Sequence, residues 1–257
     1  MAPDGELNGM HFTGFLVDVW HWLTSPDQWH GGDGIPHLLA NHVRVSVASL
    51  LVSALIAVPL GAWLGHRRKG GVLAMNIANI GRAIPVYALL VLAVQIFGIT
   101  SPRGFGWTGS FVAFVPLVLL GIPPMLTNSY VGVCDVGDEL VDAARGMGLS
   151  EREIARRVEI PVAMPLIMAG IRTSMVGIVA TATLASFTGV DTLATPIFIG
   201  IKTGDHVAVF GGAALVGVLA IVADLALAAV QRSVVSPGLR GQVTRRSNVV
   251  VPAPPAT

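Results

Sequence analysis

Long apolar runs separated by short polar breaks dominate this chain. Stretches with little or no charge cover about 43–65, 72–98, 111–131, 164–187 and 207–230. Each approaches or exceeds the roughly 20 residues that a helix needs to cross a bilayer. They predict five spans. Pro59 is expected to kink the first, and Pro123-Pro124 fall close to the end of the third. The second is interrupted by Arg82-Ala83-Ile84-Pro85, where Pro85 removes a backbone donor and restricts the residue before it, so a helix break is predicted there. Residues 11–23 are apolar and aromatic but too short to span, and Asp18 and His21 interrupt them. With Trp20, Trp22 and Trp29 nearby, they predict a helix lying at the membrane–water interface. The chain therefore divides into an extracytoplasmic or interfacial segment 1–37, a transmembrane region 38–231 and a partly disordered tail 232–257, with turn-rich loops at 99–110 and 188–206.

One polar island stands out, at 134–163. Asp138 to Arg145 has good helix formers, with acids at the end where the helix dipole favours them. Ala143 and Ala144 are small enough to let another surface approach. Gly146 and Gly148 break this helix, and Gly148 suits a left-handed stop. Ser150 and Glu153 then have the spacing of a capping box, opening a second helix to about Glu159. Glu153 and Arg157 form an i,i+4 pair in the favourable order, while Ile154 and Val158 share one face. Pro161 and Pro165 are expected to end the hairpin and start the next span. A helical hairpin of this shape suits docking into a groove; a solvated loop whose charges keep it out of lipid is the alternative.

Composition narrows the class. Only 12% of the 257 residues are charged, against about 25% in soluble domains, and 53% are hydrophobic; mean hydropathy is +0.71. This fits an all-α integral membrane protein. A net charge of +1 gives no case for nucleic acid, and the single Cys134 excludes an internal disulfide. Five of the seven histidines (His11, His21, His30, His37, His42) crowd the N-terminal part, but no pair has the i,i+4 spacing of a helical zinc motif. They read as wet, interfacial side chains, and no metal is expected. Basic residues set the topology. With the 66–71 turn, the hairpin and the tail on the cytoplasmic side, only Arg44, Arg103 and Lys202 of the 16 basic residues lie outside. The positive-inside rule then puts the N-terminus outside and the C-terminus in the cytoplasm.

Several intramembrane polar groups are candidates for a translocation path. Arg82, beside Pro85 and Tyr87, either snorkels toward the 66–69 turn or serves a gate. Thr181, Thr183, Ser186 and Thr188 either line a path or bond back to their own helix. Asp224 is either a proton relay or a structural acid paired with an arginine or polar group. Tyr87, Phe97, Phe187 and Phe198 could hold a quaternary ammonium by cation–π attraction, with core packing as the default reading.

The polar island resembles the EAA loop of ABC importer permeases, EAA-x3-G-x9-I-x-LP. Here it reads Asp142-Ala143-Ala144, three residues, Gly148, nine residues, Val158, Glu159, Ile160-Pro161. Asp142, Val158 and Ile160 depart conservatively from Glu, Ile and Leu. Across 38–231, the runs Asn128-Ser129-Tyr130-Val131-Gly132, Ala143-Ala144-Arg145-Gly146-Met147-Gly148 and Met168-Ala169-Gly170-Ile171-Arg172-Thr173 resemble permeases for osmoprotectants, as does Ala83-Ile84-Pro85. The resemblance implies a type I ABC importer permease fold with about five core spans, in a bacterial inner membrane. It implies a translocation subunit, not an enzyme, importing glycine betaine, carnitine, choline or proline betaine. Permeases for amino acids or other small solutes remain the alternative within the superfamily; an ATPase-independent channel or proton-coupled carrier is the alternative outside it. Implied partners are a cytoplasmic ATPase dimer, a second permease chain (identical or related), an extracytoplasmic substrate-binding protein and the bilayer. No Walker A loop occurs here, so no cofactor belongs to this chain; ATP and Mg would sit on the ATPase. The residues implied for ATPase coupling are Asp142, Ala143, Ala144, Gly148, Ser150, Glu153, Arg156, Arg157, Val158, Ile160 and Pro161.

Overall fold

The computed structural model describes residues 7–32, 34–83, 85–97 and 108–235. Ile84, most of the 99–110 loop and the tail beyond Val235 lie outside the described residues, as do the side chains of His11, Arg82 and Phe97. Every element among the described residues is helical, in agreement with an all-α reading. In chain order they are α1 (Leu7–Thr24), α2 (Ile35–Arg67), α3 (Gly71–Ala83), α4 (Val86–Phe97), α5 (Thr108–Cys134), α6 (Asp138–Gly146), α7 (Glu151–Ile154), α8 (Ile160–Thr181), α9 (Thr195–Thr203) and α10 (His206–Val234). A π turn at Ala155–Glu159 joins α7 to α8, and a 3₁₀ turn at Ala182–Thr188 continues α8.

Among the described residues, four helices are long and apolar enough to cross a membrane: Ile35–Arg67, Val112–Cys134, Glu151–Thr188 and His206–Val234. Over the predicted span 72–98 lie two shorter helices, α3 ending at Ala83 and α4 beginning at Val86, just after Pro85. α2 begins eight residues before the expected 43, with Gly34 as N-cap and Pro36 in its first turn. Polar side chains hid this extension, and the fold satisfies them: Asn41 donates to Asp191 O at 3.1 Å. His42, read from sequence as wet, is instead fully buried. Its Nε2 meets Val179 O at 3.0 Å; a carbonyl only accepts, so Nε2 carries the proton.

α5 is the central helix, packed against α2, α3, α4 and α8. The main core joins Ala57 of α2, Met125 and Leu126 of α5, and Ile178 and Val179 of α8, with Ala223 of α10. Close approach of α2 and α5 rests on small residues. Ser46, Ser49, Ser53, Ala57, Gly61 and Gly65 recur three or four positions apart, and all are buried. A Cβ at Gly61 would sit 2.6 Å from Leu126 O, so a larger residue would push the helices apart. α5 runs through Pro116, Pro123 and Pro124 to Cys134, past the expected 131. Neighbouring helices supply hydroxyls to this proline-bearing stretch: Ser53 to Val118 O at 2.8 Å and Ser174 to Gly121 O at 2.8 Å.

Two further boundaries differ from expectation. Pro161 and Pro165 do not end the hairpin, because Glu151–Thr188 is one continuous helical rod. The π turn explains how. Ile160 N–H bonds back to Ala155 O, widening the turn just before Pro161, whose ring would otherwise meet the carbonyl of Arg157. The 188–206 segment, expected as loop, contains α9, with Pro196 in its first turn and left-handed Gly204 as its cap. α1 forms as predicted around 11–23. It packs on α10, with Phe15 edge-on to Phe210 at 5.5 Å and Trp22 over Gly211.

Candidate functional site

The polar island folds as a hairpin with a small core of its own. α6 and α7 turn about Gly148, whose φ of +84° is the left-handed geometry that glycine adopts freely. Gly146, expected to break the helix, is still part of α6. Val136, Val141, Ala144 and Ile154 close together, with Leu149, Val158 and Val162 packed around them. This places Ile154 and Val158 on one buried face, as their spacing predicts. Ala144 corrects an expectation: it is sealed inside this core and offers no surface to a partner. Ala143 is exposed, and on the same side of α6 stand Leu140, 46% exposed, and Met147, 74% exposed. The hairpin therefore presents a narrow apolar strip at i, i+3 and i+7.

Charge pairs lock the two arms. Arg145 Nη1 donates to Asp142 Oδ1 at 2.7 Å, and its Nε to Glu151 Oε1 at 2.9 Å, so Asp142 of α6 is linked to α7 through one guanidinium. Those carboxylates, Glu151 foremost, hold the Arg145 guanidinium above its ordinary range. The Glu153 carboxylate accepts from Ser150 N–H at 3.1 Å and from its hydroxyl at 2.9 Å, closing the predicted capping arrangement. Arg157 lies 3.4 Å from Glu153, the predicted i,i+4 pair.

A second set of contacts was not legible from sequence. The 66–69 turn, read there only as a topology marker, grips the hairpin. His66 Nδ1 donates to Glu159 Oε2 at 2.6 Å, and Glu159 is 3% exposed. Arg68, in left-handed backbone geometry with φ +51°, pairs with Asp138 Oδ1 at 2.6 Å and donates to Val136 O at 3.0 Å. The only hint available was the acid Glu159 inside an otherwise apolar motif position. Arg156 with Arg152 lines a cleft of about 450 Å³ whose other walls include Ala62, Trp63, Val133 and Ile160. Ile160 and Pro161 lead from the π turn into the long helix, so the second arm of the hairpin and the span form one continuous helical rod.

The path candidates separate. Arg172 of α8 holds Asp224 of α10 with two parallel bonds of 2.9 and 2.8 Å, and its Nη1 reaches Gln231 at 3.2 Å. Asp224 is thus ion-paired with an arginine, the contact that the second of its two readings expects. Thr183 and Thr188 bond back to Ala180 O and Ala185 O, at 2.8 and 2.7 Å. Ser186 meets Thr192 at 2.8 Å, and Thr181 is half-buried at the end of α8. Pro85 opens the first turn of α4, accepting Leu89 N–H, with Tyr87 exposed just beyond it.

Comparisons with known proteins agree with this geometry. The family described as binding-protein-dependent transport system inner membrane component matches residues 57–236. The glycine betaine/carnitine/choline transport system permease protein OpuCB of Bacillus subtilis is 35% identical over 214 residues, covering 83% of this chain and 94% of that protein. The choline transport system permease protein OpuBB of the same organism is 35% identical over 86% of this chain and 97% of its own length. The osmoprotectant import permease protein OsmY of Salmonella typhimurium is 32% identical over 75% of this chain and 78% of its own. Among solved structures, an inward-facing form of the MetNI methionine ABC transporter aligns with a TM-score of 0.67 and 21% identity, over 83% of this chain and all of that one. That likeness concerns the fold.

Proposed function

The chain belongs to the family of binding-protein-dependent transport system inner membrane components, and on that premise we propose that it imports quaternary-ammonium osmoprotectants as the permease of an ATP-driven ABC importer. It is a multi-pass membrane transport subunit; the power stroke comes from a separate cytoplasmic ATPase dimer. The observation that carries the coupling is the hairpin: a self-packed, doubly clamped unit, continuous with a membrane-crossing helix, with Leu140, Ala143 and Met147 facing outward. Seated in a groove of the ATPase, such a unit passes displacement to the membrane without absorbing it, because its own core and the His66 and Arg68 contacts resist deformation. The glycine betaine, carnitine and choline named for the relatives supply the substrate class. An extracytoplasmic binding protein delivers the solute, a second permease chain completes the path, and ATP and Mg belong to the ATPase. The hairpin and the 66–69 turn face the cytoplasm and the N-terminus faces out.

Both carboxylate oxygens of Asp224 are engaged by Arg172, an arrangement that favours this reading over a proton-coupled carrier. Reconstitution decides the matter. Proteoliposomes holding the chain, its ATPase and its binding protein should take up radiolabelled choline, carnitine or glycine betaine only with ATP present. Uptake of these solutes by the chain alone, driven by a proton gradient, would overturn the proposal.

A further inference from the structure

Three aromatic rings from three separate elements converge beside the 3₁₀ turn. Phe187 of that turn lies edge to face with Tyr87 of α4, centroids 5.6 Å apart and planes at 73°. On its other side Phe198 of α9 stands 4.2 Å away at 59°. The steep angles make the rings walls of a corner, not a flat stack. They are not sealed in the core either: Tyr87 is 51% exposed and Phe187 46%. Their positions are fixed by the local fold. Ser186 is tied to Thr192 at 2.8 Å, and buried Thr188 donates to Ala185 O at 2.7 Å, so the residues on both sides of Phe187 are pinned. Gly189, at φ +83°, stops the turn directly after it. Tyr87 emerges two residues past Pro85, at the break in the predicted second span. The turn also continues α8, the helix whose other end is the coupling hairpin.

Electron-rich ring faces at steep angles attract a cation that has no N–H to donate, and a quaternary ammonium is the most easily desolvated such group. We propose that Tyr87, Phe187 and Phe198 form a transient site for the quaternary ammonium of the transported solute. Transit needs a site weak enough to release its occupant, and half-open rings provide one. Because the 3₁₀ turn and the hairpin share one rod, movement of the hairpin shifts Phe187 against Tyr87 and Phe198, opening or closing the corner. This inference rests on the quaternary-ammonium reading above.

The test changes ring electronics while nearly preserving ring size. Mono-, di- and trifluorinated phenylalanine are incorporated at 187, and separately at 198, in the complete transporter in proteoliposomes. Saturating liganded binding protein is supplied, so that uptake reports the permease step. Choline uptake should fall stepwise with each fluorine, reaching about three- to tenfold, the range expected for one cation–π contact. Phe187→Leu should lie at or below the trifluorinated ring. Uptake that is flat across the fluorinated series at both positions overturns the site while leaving the transporter assignment intact. If the unmodified transporter moves no quaternary-ammonium solute at all, the substrate reading fails and the site falls with it.

Discussion

The two ends of this molecule are held together by different physics, and α2 touches both. With 33 residues it reaches about 50 Å. At one end His66 donates to nearly buried Glu159, and Arg68 grips the hairpin by charge through exposed Asp138. At the other, His42 meets a backbone carbonyl at the end of α8, among buried serines and next to the 3₁₀ turn with its aromatic corner. The hairpin end is polar, self-contained and tied in several places, as suits a part that receives force. The far end is held by hydroxyl-to-backbone bonds and ring contacts.

The largest effect in this comparison should come between the ends, from the Arg172–Asp224 pair. Arg172→Leu leaves an unpaired carboxylate among the helices and should give the largest loss of stability in the series. A lower melting temperature in detergent should show it. Adding Asp224→Asn should recover much of that loss; no recovery would mean that Arg172 acts through other contacts. Next, Gly148→Val should leave the membrane region folded while cutting ATP-driven uptake on the order of tenfold. A β-branched residue resists φ +84°, so the arms of the hairpin must reorient. Wild-type uptake by this variant would remove the hairpin from the coupling route. Third, His66→Ala takes a donor from nearly buried Glu159 and should cost about 1–3 kcal/mol of local stability. Faster amide exchange in 151–160, with unchanged exchange in 174–186, would confine the effect to one end. Smallest is Arg145→Ala. Its partners are exposed, and surface ion pairs contribute little to stability. A modest, salt-sensitive drop in uptake is expected, measured at low and high ionic strength.

The hairpin end was largely legible in the sequence, because its signals are local. Gly148, the Ser150–Glu153 spacing and the Glu153–Arg157 pair each act within a few residues. Burial of Ala144 was not legible, since two adjacent alanines give no clue to which one faces a core. The His66–Glu159 clasp joins positions 93 residues apart, and only folding brings them together. The continuous rod through Pro161 was missed because proline is ordinarily a terminator, and a π turn that accommodates it has no local signature here. α9 did carry local signals, Pro196 and Gly204, that were passed over within a polar stretch. The aromatic corner joins three elements, so sequence could name its rings but not assemble them.

In the proposed function the hairpin, through its outward strip, is the part of this chain that meets the ATPase. A photo-crosslinking residue at Met147 in the intact transporter tests this directly, with exposed Ile201 of α9 as the control. The account predicts a covalent adduct between permease and ATPase from position 147 and none from 201. Capture from 201 but not from 147, or from neither, would contradict it.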